Sequence, residues 1–440
     1  MVRRMLAVES AEAIMTNAVQ HYDQVPRQHR RAGATLALAV VLTRVSFAPP
    51  SAQAQGQYHV LYSFTGGTDG GYPEAGLVRD NAGNLYGTTY EGGASDFGTV
   101  FELTANGGGE TVLHSFTGGA DGSSPRGDLV RDSAANLYGT TFYGGASNIG
   151  TVFKLDATGT ETVLCAFPKG GAPEGYPEAG LVLDAKGDLY GTTSYPTACE
   201  SNPGCGSAFK VKPTDKETDL HLFTGPPDGS YPQGDLLRDS KGNLYGTTVY
   251  GGNIGSCTVY STQGCGTVFE STPNQNGTWT ETVLYRFNGP PDGAYPIGNL
   301  VRDSAGNLYG TTSQGGAFSA LCPGQPTGCG TVFEVHTDGT ETVLYSFTGG
   351  ADGDYPEAGL TRDNAGNLYG TTNEGGRYGF GTVFKVTSTG TETVLHSFAG
   401  SPNDGEGPFA RLVRDSSGII DGTTEVGGTS GYGTVFELKP

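Results

Sequence analysis

The side chains that could carry chemistry recur on similar loops along this sequence. Connections of the type Thr-Gly-Gly-x-Asp-Gly-x-Tyr-Pro each present a carboxylate and a phenol, as in Asp69 and Tyr72. Binding residues concentrate on loops that a rigid scaffold positions, so these loops form the candidate binding face. The structural alternative is that Asp-Gly only makes the turn and Tyr-Pro only packs. The residues of this face are Asp69, Tyr72, Asp121, Tyr176, Asp228, Tyr231, Asp292, Tyr295, Asp352, Tyr355 and Asp404.

A second recurring pair, Arg-Asp, occurs first at residues 79–80 and has Leu183-Asp184 in its place in the third unit. A ring of acid–base groups is the functional interpretation. The structural one is an Asp that caps a turn and an Arg that makes an ion pair or a backbone bond. We favour the structural interpretation, because a reaction needs one general acid and this pair recurs around the whole array.

Familiar catalytic patterns do not occur in the sequence: there is no HExxH and no GxSxG. His114, His221 and His396 fall where other units have Tyr, on separate units, so they should lie too far apart to share a metal. An enzyme would need a unique polar cluster among the departures from the repeat, namely Arg126, Glu200, Arg377 and Asp421. We expect no metal and no cofactor, with Ca²⁺ on the Asp-Gly loops as the alternative.

Six of the seven Cys form three close pairs in corresponding loops of the third, fourth and fifth units. In an exported chain such coincident placement predicts local disulfides, and zinc is the alternative. Cys165 is left over, and we expect it to be a free, partly buried thiol. The expected pairs are Cys199–Cys205, Cys257–Cys265 and Cys322–Cys329.

These residues are positioned by a repeat that is plainest at residues 85–89, Leu-Tyr-Gly-Thr-Thr. Its central Gly falls at 87, 139, 191, 246, 310, 370 and 422. Such a period indicates an array or a propeller. Each unit offers four strand-like runs, in the first unit Gly76–Arg79, Leu85–Thr89, Thr99–Leu103 and Thr111–Phe116. We therefore predict an all-β, seven-bladed β-propeller of four-stranded antiparallel blades; an open β-solenoid is the alternative.

The ends of the repeat region predict how the ring closes. The region opens with a fourth-strand sequence, Val60–Phe64, and finishes with a third-strand sequence, Thr434–Leu438. Antiparallel pairing of the two would complete the last blade and remove exposed edges. We also expect two Phe positions that recur in every unit, starting with Phe64 and Phe101, to fill the spaces between blades.

Composition and the N-terminal residues indicate an exported protein. Residues 27–54 begin with Arg27, Arg30 and Arg31, continue in an apolar run that contains Arg44, and end in Ala-Gln-Ala, the pattern of a cleaved signal peptide. We therefore divide the chain into an extension and signal at 1–54 and a propeller at 55–440, with units near 58–110, 111–161, 162–217, 218–281, 282–341, 342–392 and 393–440. The net charge of −20 argues against nucleic acid. We expect a monomer without a membrane span after signal removal, secreted, periplasmic or at the cell surface.

The pattern LVRDxxGNLYGTTxxGGxxxxGTVFEL, at 77–103 and repeated, resembles the bacterial GloVer-type tandem repeat and, more distantly, NHL-type propeller units. This resemblance implies an exported, often surface-attached protein of undetermined role. This sequence departs from the anchored members in ending at Lys439-Pro440 without an apolar tail or sorting motif, which leaves surface attachment an open question. The function we expect is a non-catalytic binding scaffold for a glycan or a protein. The alternative is a polysaccharide lyase or hydrolase.

Overall fold

A computed structural model describes residues 57–440, except 106–108, 169–174, 195–204, 213–216, 254–256, 258–263, 318, 320–321 and 323–327. The expected extension and signal at 1–54 lie outside the described residues. None of the residues that the model describes forms a helix with the length and apolar character needed to cross a membrane.

Seven four-stranded antiparallel sheets form the blades of a propeller, as the sequence predicted. In chain order, the strands of the first six blades are Val78–Arg79, Leu85–Thr89, Thr99–Leu103 and Glu110–Ser115; Val130–Arg131, Leu137–Thr141, Thr151–Leu155 and Glu161–Ala166; Val182–Leu183, Leu189–Thr193, Ser207–Val211 and Thr218–Leu222; Leu237–Arg238, Leu244–Thr248, Thr267–Pro273 and Trp279–Arg286; Val301–Arg302, Leu308–Thr312, Thr331–Val335 and Glu341–Ser346; Thr361–Arg362, Leu368–Thr372, Thr382–Val386 and Glu392–Ser397.

Blade seven is assembled from both ends of the described chain. Its strands Val413–Arg414, Ile420–Thr424 and Thr434–Lys439 come from the last repeat, and the fourth, Gln57–Ser63, comes from the first segment. Val60 lies opposite Phe436 and Ser63 opposite Thr434 in an antiparallel register. The predicted ring closure is therefore confirmed.

Each blade begins with a short hairpin, and an Asp holds its turn. In blade one, Oδ1 of Asp80 accepts hydrogen bonds from the backbone N–H groups of Ala82 and Asn84, each at 2.9 Å. Gly83 has a φ of 91°, which a side chain would disfavour. The first strand is two residues shorter than expected, since only Val78 and Arg79 pair with the second strand.

The blades pack through pairs of buried aromatic rings. The Phe after a fourth strand lies edge-on to the third-strand Phe of the next blade, as Phe64 does to Phe101 at 5.1 Å between centroids. All seven junctions repeat this arrangement at 5.1–5.3 Å. The expected packing role of these positions is thus confirmed.

The recurrent Arg makes a further contact between blades that the sequence analysis missed. Its guanidinium lies over the second-strand Tyr of the preceding blade, as Arg131 does over Tyr86 at 5.4 Å. The same stacking, at 5.3–5.7 Å, joins Arg238 to Tyr190, Arg302 to Tyr245, Arg362 to Tyr309 and Arg414 to Tyr369. Stacking on an aromatic face favours Arg at this position.

Candidate functional site

The propeller has two unlike faces. We call the one with the second-to-third-strand loops and the connections between blades the loop face. These segments pair with each other there: the N–H of Tyr90 donates to the carbonyl of Tyr72 at 3.0 Å. The opposite face, which carries the tight hairpins, is the hairpin face. All eleven residues of the candidate binding face belong to connections on the loop face.

The connection Asp residues use their carboxylates to hold the connections. Oδ2 of Asp69 accepts from the backbone N–H of Thr65 at 2.8 Å and from the Tyr62 hydroxyl at 3.0 Å. Backbone bonds of 2.8–2.9 Å recur at Asp121, Asp228, Asp292, Asp352 and Asp404. Turn capping therefore accounts for the recurrence of this Asp, whatever else it binds.

The connection Tyr residues adopt a backbone conformation that a bulky side chain normally avoids. Tyr72, Tyr176, Tyr231, Tyr295 and Tyr355 have φ between 53° and 63°. Such left-handed residues persist only where surrounding contacts hold them, and they cluster at functional sites. Their rings do make contacts: the Tyr295 hydroxyl donates to the Cys257 carbonyl at 3.0 Å.

Two expected disulfides are confirmed on the loop face. Cys257 bonds Cys265, and Cys322 bonds Cys329, each with Cα atoms 5.4 Å apart. Cys199 lies outside the described residues. Cys165 is a free, buried thiol that donates to Oε2 of Glu217 at 2.6 Å. Burial and the nearby carboxylate raise the pKa of this thiol, which argues against a nucleophilic role.

We call the part of the loop face next to the first strands, around the axis of the ring, the mouth of the central channel. The residue after each connection Pro precedes the first strand of its blade, and it changes from blade to blade. In blade two it is Arg126, which lies 3.3 Å from Glu74 of blade one and between the rings of Tyr90 and Phe142, at 4.7 and 4.6 Å. The seven residues are Glu74, Arg126, Glu178, Gln233, Ile297, Glu357 and Phe409.

Blades three and four contribute a hydrogen-bonded network to this mouth. Oε1 of Glu178 accepts from the hydroxyls of Ser194 at 2.7 Å and Tyr231 at 3.2 Å, and its Oε2 accepts from Gln233. Tyr231 and Tyr295 flank Tyr250, with centroid separations of 6.0 and 5.6 Å. This sector combines polar groups held in place with adjoining aromatic rings, as ligand sites commonly do.

Blades six and seven contribute carboxyl groups instead. Burial, followed by the charges of Glu374 and Glu425, raises the pKa of Glu357 to about 8. Burial also raises the pKa of Asp354 to about 7, and its buried Oδ2 has no hydrogen-bond partner. Both carboxyl groups can therefore hold protons near neutral pH.

Deeper in the channel, four polar side chains meet across the axis. Oδ1 of Asp128 accepts from the backbone N–H of Gly76 at 2.6 Å, and its Oδ2 lies 3.4 Å from Nε of Arg411. Asp235 likewise bonds Gly180 at 2.6 Å and Asn299 at 2.9 Å. Burial and the neighbouring Asp128 raise the pKa of Asp235. These contacts link blade two to blade seven and blade four to blade five.

The four residues considered for catalysis do not form one site. Arg126 lies at the mouth, whereas Asp421 is buried against Arg79 at the second-strand Tyr position of blade seven. Arg377 lies 5.3 Å from the Tyr378 ring in a loop of blade six. Glu200 lies outside the described residues. The sequence analysis grouped them because each breaks the repeat, but they break it at different structural positions.

At the blade junctions, a fourth-strand residue faces a connection Asp and a Glu of the next blade. Among the described residues, one junction brings three metal-ligating atoms within 4.8 Å of one another: His221, Asp228 and Glu281. Nε2 of His221 lies 3.2 Å from Oδ2 of Asp228, and Oε1 of Glu281 is buried without a hydrogen-bond partner. One imidazole and two carboxylates suit a divalent transition metal.

The hairpin face holds a pocket that the sequence analysis missed. It lies between blades three and four, has a volume of about 440 Å³, and includes Tyr190 and Trp279 in its wall. The sequence has no basic run after residue 55, but the fold gathers five cationic side chains here from separate hairpins. They are Lys186, Lys210, Lys212, Arg238 and Lys241.

Two solved structures show the same fold at low sequence identity. An ancestral GH74 enzyme aligns with a TM-score of 0.54 at 13% identity, over 85% of this chain and 48% of that one. The extracellular domain of a hybrid two-component system from B. thetaiotaomicron aligns at 0.52 and 11% identity, over 88% and 41%. The chain thus spans less than half the length of either protein. No protein with a curated description matches it in sequence.

The repeat itself identifies the family. The model of the Gloeobacter/Verrucomicrobia repeat matches residues 50–201 and 255–440, which together are most of the chain. Those ranges contain the Leu-Tyr-Gly-Thr-Thr strands of blades one to three, five and six, the N-terminal strand Gln57–Ser63 that closes the ring, and its partner Thr434–Lys439. The chain therefore belongs to the Gloeobacter/Verrucomicrobia repeat family.

Proposed function

We propose that this protein is an exported binding scaffold that takes a glycan at the loop-face mouth of its central channel. The observation that carries the proposal is the position of the differences between blades. Scaffold residues repeat from blade to blade, whereas the mouth combines Arg126, the Glu178 network and several Tyr rings. Rings bind the apolar faces of sugars, and oriented carboxylates and amides accept and donate hydrogen bonds to hydroxyls.

The two disulfides support an exported location. Cys257–Cys265 and Cys322–Cys329 each close a short loop beside the mouth. Disulfides of this kind persist in oxidising compartments and are rare in the cytosol. A secreted, periplasmic or surface location would also put the mouth in contact with extracellular glycans.

A glycan array followed by calorimetry with its strongest ligand tests the binding site. Arg126→Ala should weaken binding at least tenfold, because it removes the cation between Tyr90 and Phe142. Arg302→Ala is the matched control, since it removes a similar Arg–aromatic contact on the hairpin face. Equal loss of affinity in the two variants, or no glycan bound by the wild-type protein, would refute the proposal.

One observation favours a second function, hydrolysis of an extracellular polysaccharide. Glycosidases pair a protonated carboxylic acid with an ionised carboxylate. Burial, then the charge of Glu374, raises the pKa of Glu357 to about 8, so a carboxyl group that can hold a proton lies near a second one. Release of reducing ends from the bound polysaccharide, abolished in Glu357→Gln while binding persists, would establish this activity. Binding without any product would leave the scaffold function.

A further inference from the structure

We propose that the pocket on the hairpin face between blades three and four binds an anionic saccharide, a sugar chain that carries carboxylate or sulfate groups. This site is separate from the channel mouth, and the proposal does not depend on the function of that mouth. Charge, aromatic surface and the departures of two adjacent blades from the repeat all point to it.

The charge of the pocket opposes that of the protein. The net charge of the chain is −20, and its whole sequence contains nine Lys, of which four line this pocket. With Arg238 the lining has five cationic side chains against Asp184 and Asp188, a balance of +3. A positive concavity in an acidic surface attracts and retains anions.

The two Asp residues fix part of this cationic wall. Nζ of Lys210 lies 2.5 Å from Oδ2 of Asp188, and a guanidinium nitrogen of Arg238 lies 3.7 Å from Asp184. Both cations also lie near the Tyr190 ring, at 5.2 and 5.7 Å. Lys186 and Lys241 are exposed at the rim, where their flexible stems can reach an anionic group.

The aromatic wall comes from an extended hairpin. In blade four the third and fourth strands run Thr267–Pro273 and Trp279–Arg286, of seven and eight residues, against five and six in blade one. The extension ends in the cross-strand pair Pro273 and Trp279. Trp279, the only Trp in the sequence, packs edge-on to Tyr190 at 6.0 Å. A half-buried indole beside cations suits the apolar face of a charged sugar.

The arrangement favours a short anionic sugar over nucleic acid. Proteins that bind nucleic acid spread Lys and Arg along the path of the phosphates. Here four of the nine Lys converge on one pocket of about 440 Å³. A longer polyanion would extend beyond the pocket over the acidic surface of the protein, which would repel it. A ligand with a few charges meets the cations without that repulsion.

Fluorescence of the single Trp makes the site directly testable. Tetragalacturonate, a sulfated carrageenan tetrasaccharide, neutral galactotetraose and oligo(dT) are titrated into the full-length protein, and calorimetry gives an independent affinity. We expect saturable change with one of the two anionic saccharides, weakening at higher salt. The ligand that acts identifies carboxylate or sulfate as the recognised group.

Paired variants distinguish the pocket from general charge. Lys186→Gln/Lys241→Gln should weaken binding at least tenfold. The control, Lys154→Gln/Lys385→Gln, removes two Lys that lie over Tyr rings in blades two and six and do not line the pocket. Equal weakening in both, stronger binding of galactotetraose or oligo(dT), or no saturable signal with either anionic saccharide would overturn the proposal. Loss of binding at the channel mouth leaves these readouts unchanged.

Discussion

The guanidinium of Arg79 in blade one contacts the carboxylate of Asp421 in blade seven, in the place where five other junctions stack an Arg on a Tyr. Asp421 is only 1% exposed, and burial, against the opposing effect of Arg79, raises its pKa to about 6. At the junction between blades seven and one, an ion pair with a buried Asp therefore takes the place of the Arg–Tyr stacking.

Asp421→Ala should lower the free energy of unfolding by about 1–3 kcal/mol, because it removes the closer of the two carboxylates that pair with Arg79 and leaves Asp415 at 3.6 Å. Asp421→Tyr should stay within about 1 kcal/mol of the wild type, since it restores the ring on which Arg stacks elsewhere. Denaturant unfolding of both variants measures the difference. Equal losses would show that the ion pair has no special role in closure.

Phe64→Ala should destabilise the protein by about 3–5 kcal/mol and also release the closing strand. Phe64 is fully buried and pairs with Phe101 across the closing junction. Phe116→Ala removes the equivalent ring between blades one and two and is the matched control, because the fourth strand of blade one directly follows the third in the chain. Hydrogen exchange should rise at residues 57–63 in the first variant alone; the same rise in the control would contradict this role.

Stability should fall as pH rises from about 5 to 8. Burial, then the charge of a nearby Asp, raises the pKa values of Glu110 and Glu392 to about 7 and that of Glu341 to about 8. An unfolded Glu ionises near pH 4.3, so over this range the folded chain holds more protons, and its stability decreases with pH. Melting temperatures across the range test this, and Glu341→Gln should flatten the slope. A maximum near pH 8 would be inconsistent with protonated junction Glu residues.

Loss of the Cys257–Cys265 disulfide should loosen its loop more than it destabilises the propeller. The bridge closes a separation of eight residues, for which chain entropy gives roughly 2 kcal/mol. Because the Tyr295 hydroxyl bonds the Cys257 carbonyl, a Cys257→Ser/Cys265→Ser variant should also lose order at that Tyr. Proteolysis within 254–263, with the melting temperature lowered by only a few degrees, is the expected result. If the variant instead unfolds globally, the disulfide stabilises the whole propeller and not only its own loop.

Zn²⁺ should raise the melting temperature through His221, Asp228 and Glu281, while Ca²⁺, which prefers six or more oxygen ligands, should not. His221→Tyr copies the neighbouring junction, where the Tyr285 hydroxyl bonds Asp292 at 2.9 Å, and should abolish the zinc effect without unfolding. His396→Tyr is the control, because His396 lies outside the three-ligand cluster and its ring stacks on Tyr58, with centroids 3.8 Å apart. Unchanged zinc stabilisation in His221→Tyr would exclude this site.

The repeat made the scaffold predictable, because each strand, turn and Phe position was present in several copies. Ring closure followed from matching Val60–Phe64 with the unpaired edge of the last unit. The roles of residues that occur only once could not be predicted in this way. Asp421 and Arg126 both depart from the repeat, but only the fold shows that Asp421 pairs with Arg79 and Arg126 with Glu74. The basic pocket was hidden because its Lys residues lie on separate hairpins of two blades, although a lone Trp in the longest hairpin was a usable signal.

The pocket beside Trp279 opens on the face opposite to the channel mouth. The five-residue strands between the two openings, such as Leu244–Thr248, span about 17 Å. A glycan at the mouth and a short charged saccharide at the pocket would therefore not collide, one above the disc and one below. With an opening on each side, a single folded domain would join two carbohydrates without forming a dimer.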